Sequence, residues 1–415
     1  MPNNRSDLPT ASTELPVGPV LAVTTATQSF STLGILALAA IAPAAAKGIG
    51  VSPALIGYQV GMVFFGAMLS AAVAGGVVMR HGPVRASQIS LWTIAAGCAI
   101  SATGSVAALI VGAISMGLGY GIPNPAASQL LGRLPSRRSM NLLYSIKQTG
   151  VPIGGILSGM LMPPLTVAFG WQAALATCAV MLAALGASIG TVRDAWDRER
   201  APGAPVLSSA LRSVALVWRH KPLRWLAAAS LLYSGVQLSL TGFLASYLVG
   251  DIGLSLLLSG TVLSITHTSG AVGRLVWGWL ADRLRSGGLV LMINGSLGML
   301  GALLTAAMAP HWPIAAIAFT AAVFGFCAVG WNGVYMALIS HLSPAGSVSF
   351  ATGGSLVWTY AGVIMVPPAF AALHGRLDLS YGAGFALLSL VSLLGVACVA
   401  LARRSAAAPK PAPGH

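Results

Sequence analysis

Charged residues are scarce in this sequence of 415 residues, where they make up 7% of the chain. A soluble globular protein carries about 25%. Apolar residues account for 56%, and the mean hydropathy is +0.83. This composition excludes an ordinary water-soluble domain and predicts an integral membrane protein, because about 20 consecutive apolar residues suffice for one membrane-spanning helix.

Acidic side chains are scarcer still, with eight Asp and Glu in the whole sequence. They lie at the ends of the apolar segments, in loops or in the N-terminal tail, as Asp7, Glu14, Asp194, Asp197, Glu199, Asp251, Asp282 and Asp378. A cation inside an apolar segment therefore has no carboxylate at its own depth to pair with.

Cysteine is rare as well. Its four copies, Cys98, Cys178, Cys327 and Cys398, all fall in apolar segments, without the spacing of a disulfide framework or a metal site. The sequence shows no nucleophile–base pair, metal-ligand cluster or phosphate-binding loop. We therefore expect no enzyme, no cofactor and no metal site.

Twelve apolar segments are long enough to span a membrane. Of the 22 Lys and Arg residues, 18 fall on one side of these spans, 2 on the other and 2 inside them. This asymmetry is the positive-inside signature, so we interpret the net charge of +14 as a sign of topology and not of nucleic-acid binding. The predicted spans are 17–45, 53–79, 84–103, 105–134, 139–168, 171–192, 223–249, 254–281, 287–309, 312–342, 347–373 and 380–402.

The most charged connection, from Arg193 to Arg224, divides the spans into two halves that repeat. Gln28 and Gln237 are 209 residues apart, and Asn124 and Asn332 are 208 apart. We expect cytoplasmic tails at 1–16 and 404–415, six-helix bundles at 17–192 and 223–403, and a cytoplasmic linker at 193–222. The tail before the first span has one basic residue and no cleavage-like site, so it is not interpreted as a signal peptide.

The stretch from His267 to Arg285 combines an apolar helix with polar residues. His267, Arg274 and Asp282 are spaced so that they share a helix face. An arginine deep in an apolar segment is costly, and it needs a partner or a function. Asp282 two turns away, or backbone carbonyls, are the structural alternatives to a ligand.

This stretch resembles a known family. The motif Gly278-x-Leu-Ala-Asp282-Arg283 is similar to the loop motif of the major facilitator superfamily, between the second and third helices of each half. Gly273-Arg274-x-x-x-Gly278 resembles the eighth helix of oxalate/formate antiporters and monocarboxylate transporters, and the segment around Lys147 resembles the cyanate-permease branch. The resemblance implies an all-α fold of twelve transmembrane helices in two pseudo-symmetric six-helix bundles, with Arg274 holding a substrate carboxylate. Gly270 stands where the monocarboxylate relatives carry an acidic residue, which puts their route of proton coupling in doubt.

Lys147 and Arg274 are the central candidates for substrate binding. Both lie deep in apolar segments that contain no acid, so together they predict an anion site. Polar and aromatic residues at similar depth are expected to line the same cavity, although each could instead bond helix to helix. These further candidates are Gln28, Asn124, Gln148, Tyr233, Gln237, His267, Asn332, Tyr335 and Trp358.

The loop motifs are expected to act as a conformational latch. Asp282 is placed to accept hydrogen bonds from a neighbouring helix N-terminus or to pair with an arginine. Met79 replaces the aspartate in the first half, so the latch there is expected to be weak or absent. The latch residues are Gly75, Arg80, Gly278, Asp282 and Arg283.

The sequence therefore predicts a monomeric secondary transporter of the bacterial inner membrane, which moves a small organic anion, a mono- or dicarboxylate, by alternating access. Coupling by anion exchange and by proton symport both remain open, and His267 is the one predicted buried group that titrates near neutral pH. The alternatives are efflux of a drug or hydrophobic compound, and a membrane receptor or scaffold that transports nothing. The missing acids argue against cationic drugs.

Overall fold

The computed structural model describes residues 15–51, 53–134, 139–377 and 379–407. The predicted tails lie outside the described residues up to position 14 and from position 408. Over the described residues, every regular element is a helix.

The described residues of the first half form nine helices. They are α1 (Val17–Ala40), α2 (Ala42–Ile49), α3 (Pro53–His81), α4 (Pro83–Ser101), α5 (Val106–Tyr120), α6 (Pro123–Leu131), α7 (Met140–Gln148), α8 (Gly150–Phe169) and α9 (Trp171–Ser188). A 3-10 turn at Ile189–Val192 and the helices α10 (Arg193–Trp196) and α11 (Ser209–Arg219) then lead to the second half. Seven helices follow: α12 (Lys221–Gly250), α13 (Leu256–Arg283), α14 (Gly287–Ala306), α15 (Ile314–Ala328), α16 (Asn332–Leu342), α17 (Val348–Leu377) and α18 (Tyr381–Ala407).

Each predicted span coincides with one helix or with two consecutive ones. Among the described residues, ten helical stretches are long and apolar enough to cross a membrane. The other two predicted spans are α4 and α13, whose polar residues lower the hydropathy of otherwise comparable helices. The predicted all-helical, multi-pass membrane protein is confirmed.

Several spans are interrupted near their middle. A break at Gly121–Ile122 separates α5 from α6, Thr149 separates α7 from α8, and Val329–Trp331 separates α15 from α16. Interruptions at membrane depth release backbone groups from helical bonding, and they are tolerated where protein or a cavity satisfies those groups. The backbone stays in the α-helical region at Gly121, Thr149 and Val329, each of which keeps its bond to the carbonyl four residues earlier. Each span is therefore one helix that lacks a few hydrogen bonds.

The two bundles contact each other along two seams. In one seam α7 packs against α13 and α16, and in the other α3 packs against α17. The end of the molecule that carries α10 and α11, which the sequence predicts to be cytoplasmic, is called the linker end below. At this end α11 packs on both α3 and α17 and so lies across the second seam.

Candidate anion-binding site

Lys147 lies at the end of α7 and is 1% exposed. Its ammonium donates to the side-chain oxygen of Gln28 at 2.8 Å, to that of Asn124 and, more weakly, to that of Gln148 at 3.4 Å. A buried charge needs such partners because desolvation without them costs several kcal/mol. Three predicted site residues therefore converge on Lys147, and amide dipoles solvate its charge.

Arg274 is also 1% exposed and is held by backbone carbonyls. Its Nε donates to the oxygen of Val329 at 3.1 Å, and its Nη1 donates to the oxygen of Gln148. Both oxygens lie at helix interruptions. The oxygen of Gln148 is free because Pro152, four residues on, has no N–H to donate. The missing helical hydrogen bonds at α7–α8 and α15–α16 thus leave two carbonyl oxygens available to accept from the guanidinium of Arg274.

Gln148 joins the two cations. Its side-chain oxygen accepts from Lys147 of the first bundle, and its main-chain oxygen accepts from Arg274 of the second. Within the described residues, the one ion pair joins Arg133, just after α6, to Glu199 of the linker at 2.9 Å and does not involve either cation. Two like charges that share one buried residue as a partner repel each other, and burial strengthens this repulsion. An entering anion would relieve this repulsion and gain charge-assisted hydrogen bonds.

The repeat-related residues of the second bundle form an uncharged cluster. The side-chain oxygen of Gln237 accepts from the indole of Trp331 at 3.0 Å and from the amide of Asn332 at 3.1 Å. Tyr335 is 1% exposed and packs on Trp331, with ring centroids 5.1 Å apart. In the first bundle, Gln28 and Asn124 both accept from the ammonium of Lys147. In the second bundle, Gln237 accepts from both Asn332 and the indole of Trp331, and no charged group takes part.

An aromatic cluster beside Lys147 includes two residues that sequence reasoning missed, Phe64 and Tyr120. The rings of Phe64, Tyr120 and Tyr360 lie 5.8 to 6.3 Å apart and join α3, α5 and α17. The amide nitrogen of Gln28 donates to the hydroxyl of Tyr120 at 3.4 Å. Tyr120 precedes Asn124 by four residues, and this spacing is the signal that could have identified it.

Tyr233 and Trp358 were predicted at the site, but neither reaches the cations. The ring of Tyr233 packs edge-on against Trp331 of the Gln237 cluster, with centroids 5.7 Å apart. The hydroxyl of Tyr233 donates to the carbonyl of Leu291 at 3.3 Å, and its ring fills a slot that glycines at 295 and 395 leave between α14 and α18. The indole of Trp358 stacks on Trp218 of α11, with centroids 5.6 Å apart and planes 13° apart. Both side chains are thus used in packing away from the cations.

His267 lies on the stripe of α13 that leads to Arg274, seven residues earlier and thus about 10 Å along the axis. The expectation that it is buried is wrong, because the residue is exposed. The reason is that the helix face lined by His267 is covered by α7 near Arg274 but not further from the linker end.

The carboxylate of Asp282 bridges the two bundles near the linker end. It accepts from the backbone of Asn141 at 3.1 Å, from the Asn141 amide at 2.8 Å and from the backbone of Leu142 at 2.8 Å. These donors belong to the first turn of α7, where a negative charge also meets the positive end of the helix dipole. Gly278 lets the helices approach, since a Cβ there would stand 2.6 Å from that of Ser145.

The other latch residues have different surroundings. Arg283 lies over the ring of Trp279 at 5.9 Å, and Arg80 is exposed. A Cβ on Gly75 would stand 2.8 Å from the Cα of Phe350 on α17, so this glycine also permits close contact between the bundles. The backbone oxygen of Met79 accepts from Ala201 of the linker at 2.9 Å.

Comparison with known proteins places this architecture in a family. A family model described as Major Facilitator Superfamily matches residues 24–367. The gallate transporter of Pseudomonas putida is 26% identical over 406 residues, which cover 90% of this chain and 87% of that protein. The membrane sensor protein UhpC of Salmonella typhimurium is 23% identical over 273 residues. That match covers 58% of this chain and 59% of the sensor, so it spans less than two thirds of the sensor's length.

Among solved structures, the human organic anion transporter MFSD10 (TETRAN) is similar in fold. Its TM-score is 0.74 at 16% sequence identity, and the match covers 93% of this chain and 100% of that one. At this identity the likeness shows the arrangement of the helices alone.

Proposed function

Since the chain belongs to the Major Facilitator Superfamily, a family of membrane transporters and not of enzymes, we propose that it transports a small organic carboxylate with Lys147 and Arg274 as the binding cations. The observation that carries the proposal is that two fully buried cations from opposite bundles meet at Gln148. An intramembrane charge is costly enough to be a sign of function.

The geometry suggests how binding is linked to movement. Arg274 belongs to α13 of the second bundle, and it donates across the seam to the carbonyl of Gln148 in the first. A carboxylate would compete for the same donors, and a guanidinium binds it in a two-point fork that a carbonyl cannot match. Binding of substrate would thus replace the direct hydrogen bond between Arg274 and Gln148 with a bridge in which the carboxylate connects the two bundles.

The names of two similar proteins support an anionic substrate. Gallate is an aromatic carboxylate, and the transporter of that name aligns with most of this chain. The structurally similar human protein is named for organic anions. Together with the motifs around Arg274 and Lys147, they favour the carboxylate-transporting branches over efflux of cationic drugs, whose charge has no acidic counterpart in the spans.

We place the protein in the bacterial inner membrane as a monomer with both termini in the cytoplasm. Uptake of an anion against an inside-negative potential of 100 mV costs about 2.3 kcal/mol per charge. Net uptake therefore requires an exchanged anion or an accompanying proton. His267 is exposed and makes no hydrogen bond within the described residues, so we do not assign it as the obligatory proton carrier.

The proposal is tested by flux into proteoliposomes with labelled gallate, oxalate and lactate as probes. We expect one of these carboxylates to be transported by the parent protein. Lys147→Gln and Arg274→Gln should lose that flux, and Arg274→Lys should retain only part of it. The controls are Lys47→Gln and Arg200→Gln, which remove the same charges at exposed positions and should leave flux unchanged.

The similarity to a membrane sensor gives a second candidate function, a receptor that binds the same anion without moving it. A thermal-shift titration separates the two. A carboxylate that raises the melting temperature through Lys147 and Arg274 but shows no flux or exchange indicates a sensor. If neither binding nor flux responds to the two substitutions, the anion site itself is wrong.

A further inference from the structure

A second basic region lies at the linker end of the second bundle, next to the α7–α13 seam, where a Cβ on Gly287 would stand 3.1 Å from the side-chain oxygen of Asn141. The start of α14 and the ends of α16 and α18 line an open cavity of about 650 Å³ at the surface. Among the described residues, its basic lining consists of Arg285, His341, Arg403 and Arg404, and no acidic residue lines it. The cavity is separate from the site around Lys147 and Arg274, whose residues do not contribute to it.

The arginines of this cavity have no acidic partner within the described residues. Arg403 lies over Gly288 at the start of α14, where a Cβ would come within 2.7 Å of the arginine's Cγ. Its guanidinium donates to the sulfur of Met292 at 3.5 Å, and a thioether sulfur is a weak acceptor. Three guanidinium groups thus face one space with little to balance their charge.

The cavity also has an apolar lining. Met292 and Ala400 lie further into α14 and α18 than Arg285 and Arg403 do. Leu342, Ala406 and Ala407 line the cavity at the helix ends. Leu401 beside this lining is exposed on the outer surface of α18. A combination of basic and apolar lining at the end of membrane helices suits the boundary between the headgroups and the acyl chains of a lipid leaflet.

The first turn of α14 adds further donors. Ser286 caps the helix through its side chain, which accepts from Leu289 at 3.3 Å. Gly287 and Gly288 also line the cavity, and their N–H groups precede the first helical bond. Phosphate oxygens accept from arginine forks and from helix N-termini alike.

We propose that this cavity binds the phosphate headgroup of an anionic phospholipid from the leaflet at the linker end. The phosphate sits among Arg285, Arg403 and Arg404, and the upper part of an acyl chain lies along the apolar lining. A free phosphate ion satisfies the arginines but leaves that lining uncovered, which is why the lipid is the assigned ligand.

The test is a titration of the purified full-length protein in detergent with phosphatidylglycerol or phosphatidylcholine, with bound lipid counted by native mass spectrometry. We expect the parent to retain phosphatidylglycerol at least fivefold more tightly than phosphatidylcholine. Arg403→Gln/Arg404→Gln should lose this preference. Arg198→Gln/Arg200→Gln, which removes two exposed charges of the linker, should keep it.

Three results would overturn the assignment. One is equal retention of the two lipids by the parent, and another is equal loss in both double variants. The third is displacement of phosphatidylglycerol by inorganic phosphate at the same concentration, which would show that the apolar lining adds nothing. If Arg403→Gln/Arg404→Gln does not yield a monodisperse protein, Arg285→Gln provides the same comparison at a different part of the rim.

Discussion

The seam between α7 and α13 can be compared with the seam between α3 and α17, to which the internal repeat relates it. Gly75 and Gly278 are 203 residues apart, and at that offset Arg274 corresponds to Ala71. Pro163 and Pro367 are 204 apart, and at that offset Lys147 corresponds to Ala351. One seam therefore carries both buried cations where its counterpart carries two alanines.

The apolar seam uses its small residues for contact between backbones. A Cβ on Gly353 would stand 2.4 Å from the carbonyl oxygen of Ala71. Such an approach is possible only without side chains, and it resembles the small-residue interfaces of membrane helices. The difference between the seams teaches that a duplicated architecture has divided its roles, with one seam specialised for packing and the other for binding.

The seams also differ at the linker end. Asp282 joins α13 to the first turn of α7, whereas Met79 offers no carboxylate at the corresponding place. The α3–α17 seam is instead covered by α11, where Arg212 lies over the ring of Phe350 at 4.5 Å and Trp218 stacks on Trp358. The linker thus compensates for the missing carboxylate, a role that sequence reasoning did not assign to it.

Asp282→Asn should have the largest effect, because it weakens the contact between α13 and α7 at the linker end. The variant keeps the size of the side chain but loses a charge that accepts three hydrogen bonds, and bonds to charged groups contribute about 1.5–3 kcal/mol each. We expect the population with separated linker ends to rise at least tenfold. Spin-label distances between the bundles measure this, and an unchanged distribution would reduce the motif to a folding signal.

Gly353→Ala should loosen the seam between α3 and α17. The added methyl group meets a backbone oxygen that cannot move aside, so we expect a destabilisation of about 1–3 kcal/mol. A Cβ on Gly159 of α8 would have no atom within 4 Å, so Gly159→Ala is the matched control with no loss expected. Thermal unfolding in detergent compares them; equal melting temperatures would mean that the seam is not tightly packed.

Met79→Asp should make the two seams more alike. By analogy with Asp282 and α7, a carboxylate at this position should face the N-terminus of α17. Its interaction with that helix dipole would stabilise the contact by up to about 1 kcal/mol. Distances between the linker ends of α3 and α17 should shift modestly towards the closed population. A shift towards the open population would show that the repeat does not extend to the environment of Met79.

His267→Gln is expected to have the smallest effect. We predict that an imposed pH gradient drives uptake of the transported carboxylate equally in parent and variant proteoliposomes, or in neither. Accumulation in the parent alone would identify His267 as the proton carrier and contradict this prediction.

The sequence predicted how deep each polar residue lies in the membrane better than it predicted which neighbouring helix its side chain faces. Gln28, Asn124 and Gln148 meet Lys147 as expected, because an ammonium without carboxylates must collect nearby amides. Tyr233 has a similar depth, but its ring turns into a slot made by glycines of helices distant in sequence. Hydropathy fixes the position of a residue along a span, whereas the side it faces depends on neighbours that no local pattern specifies.

Backbone carbonyls were among the predicted partners of Arg274, but which carbonyls these would be was hard to foresee. Lys147 and Arg274 were recognisable as costly charges, but the carbonyl acceptors of Arg274 arise from interruptions at Thr149 and Val329. Pro152 explains the first in retrospect. The cover that α11 gives to the second seam depends on tertiary contacts alone.

The measurement that tests the central claim most directly is the affinity for a carboxylate and for its neutral amide, determined by calorimetry on the parent, Lys147→Gln and Arg274→Gln. With the transported carboxylate as ligand, each substitution should weaken binding about 10- to 100-fold, the loss of one charge-assisted contact of about 1.5–3 kcal/mol. The amide should bind weakly and equally to all three proteins. If the carboxylate binds both variants as tightly as the parent, the two cations do not form an anion site.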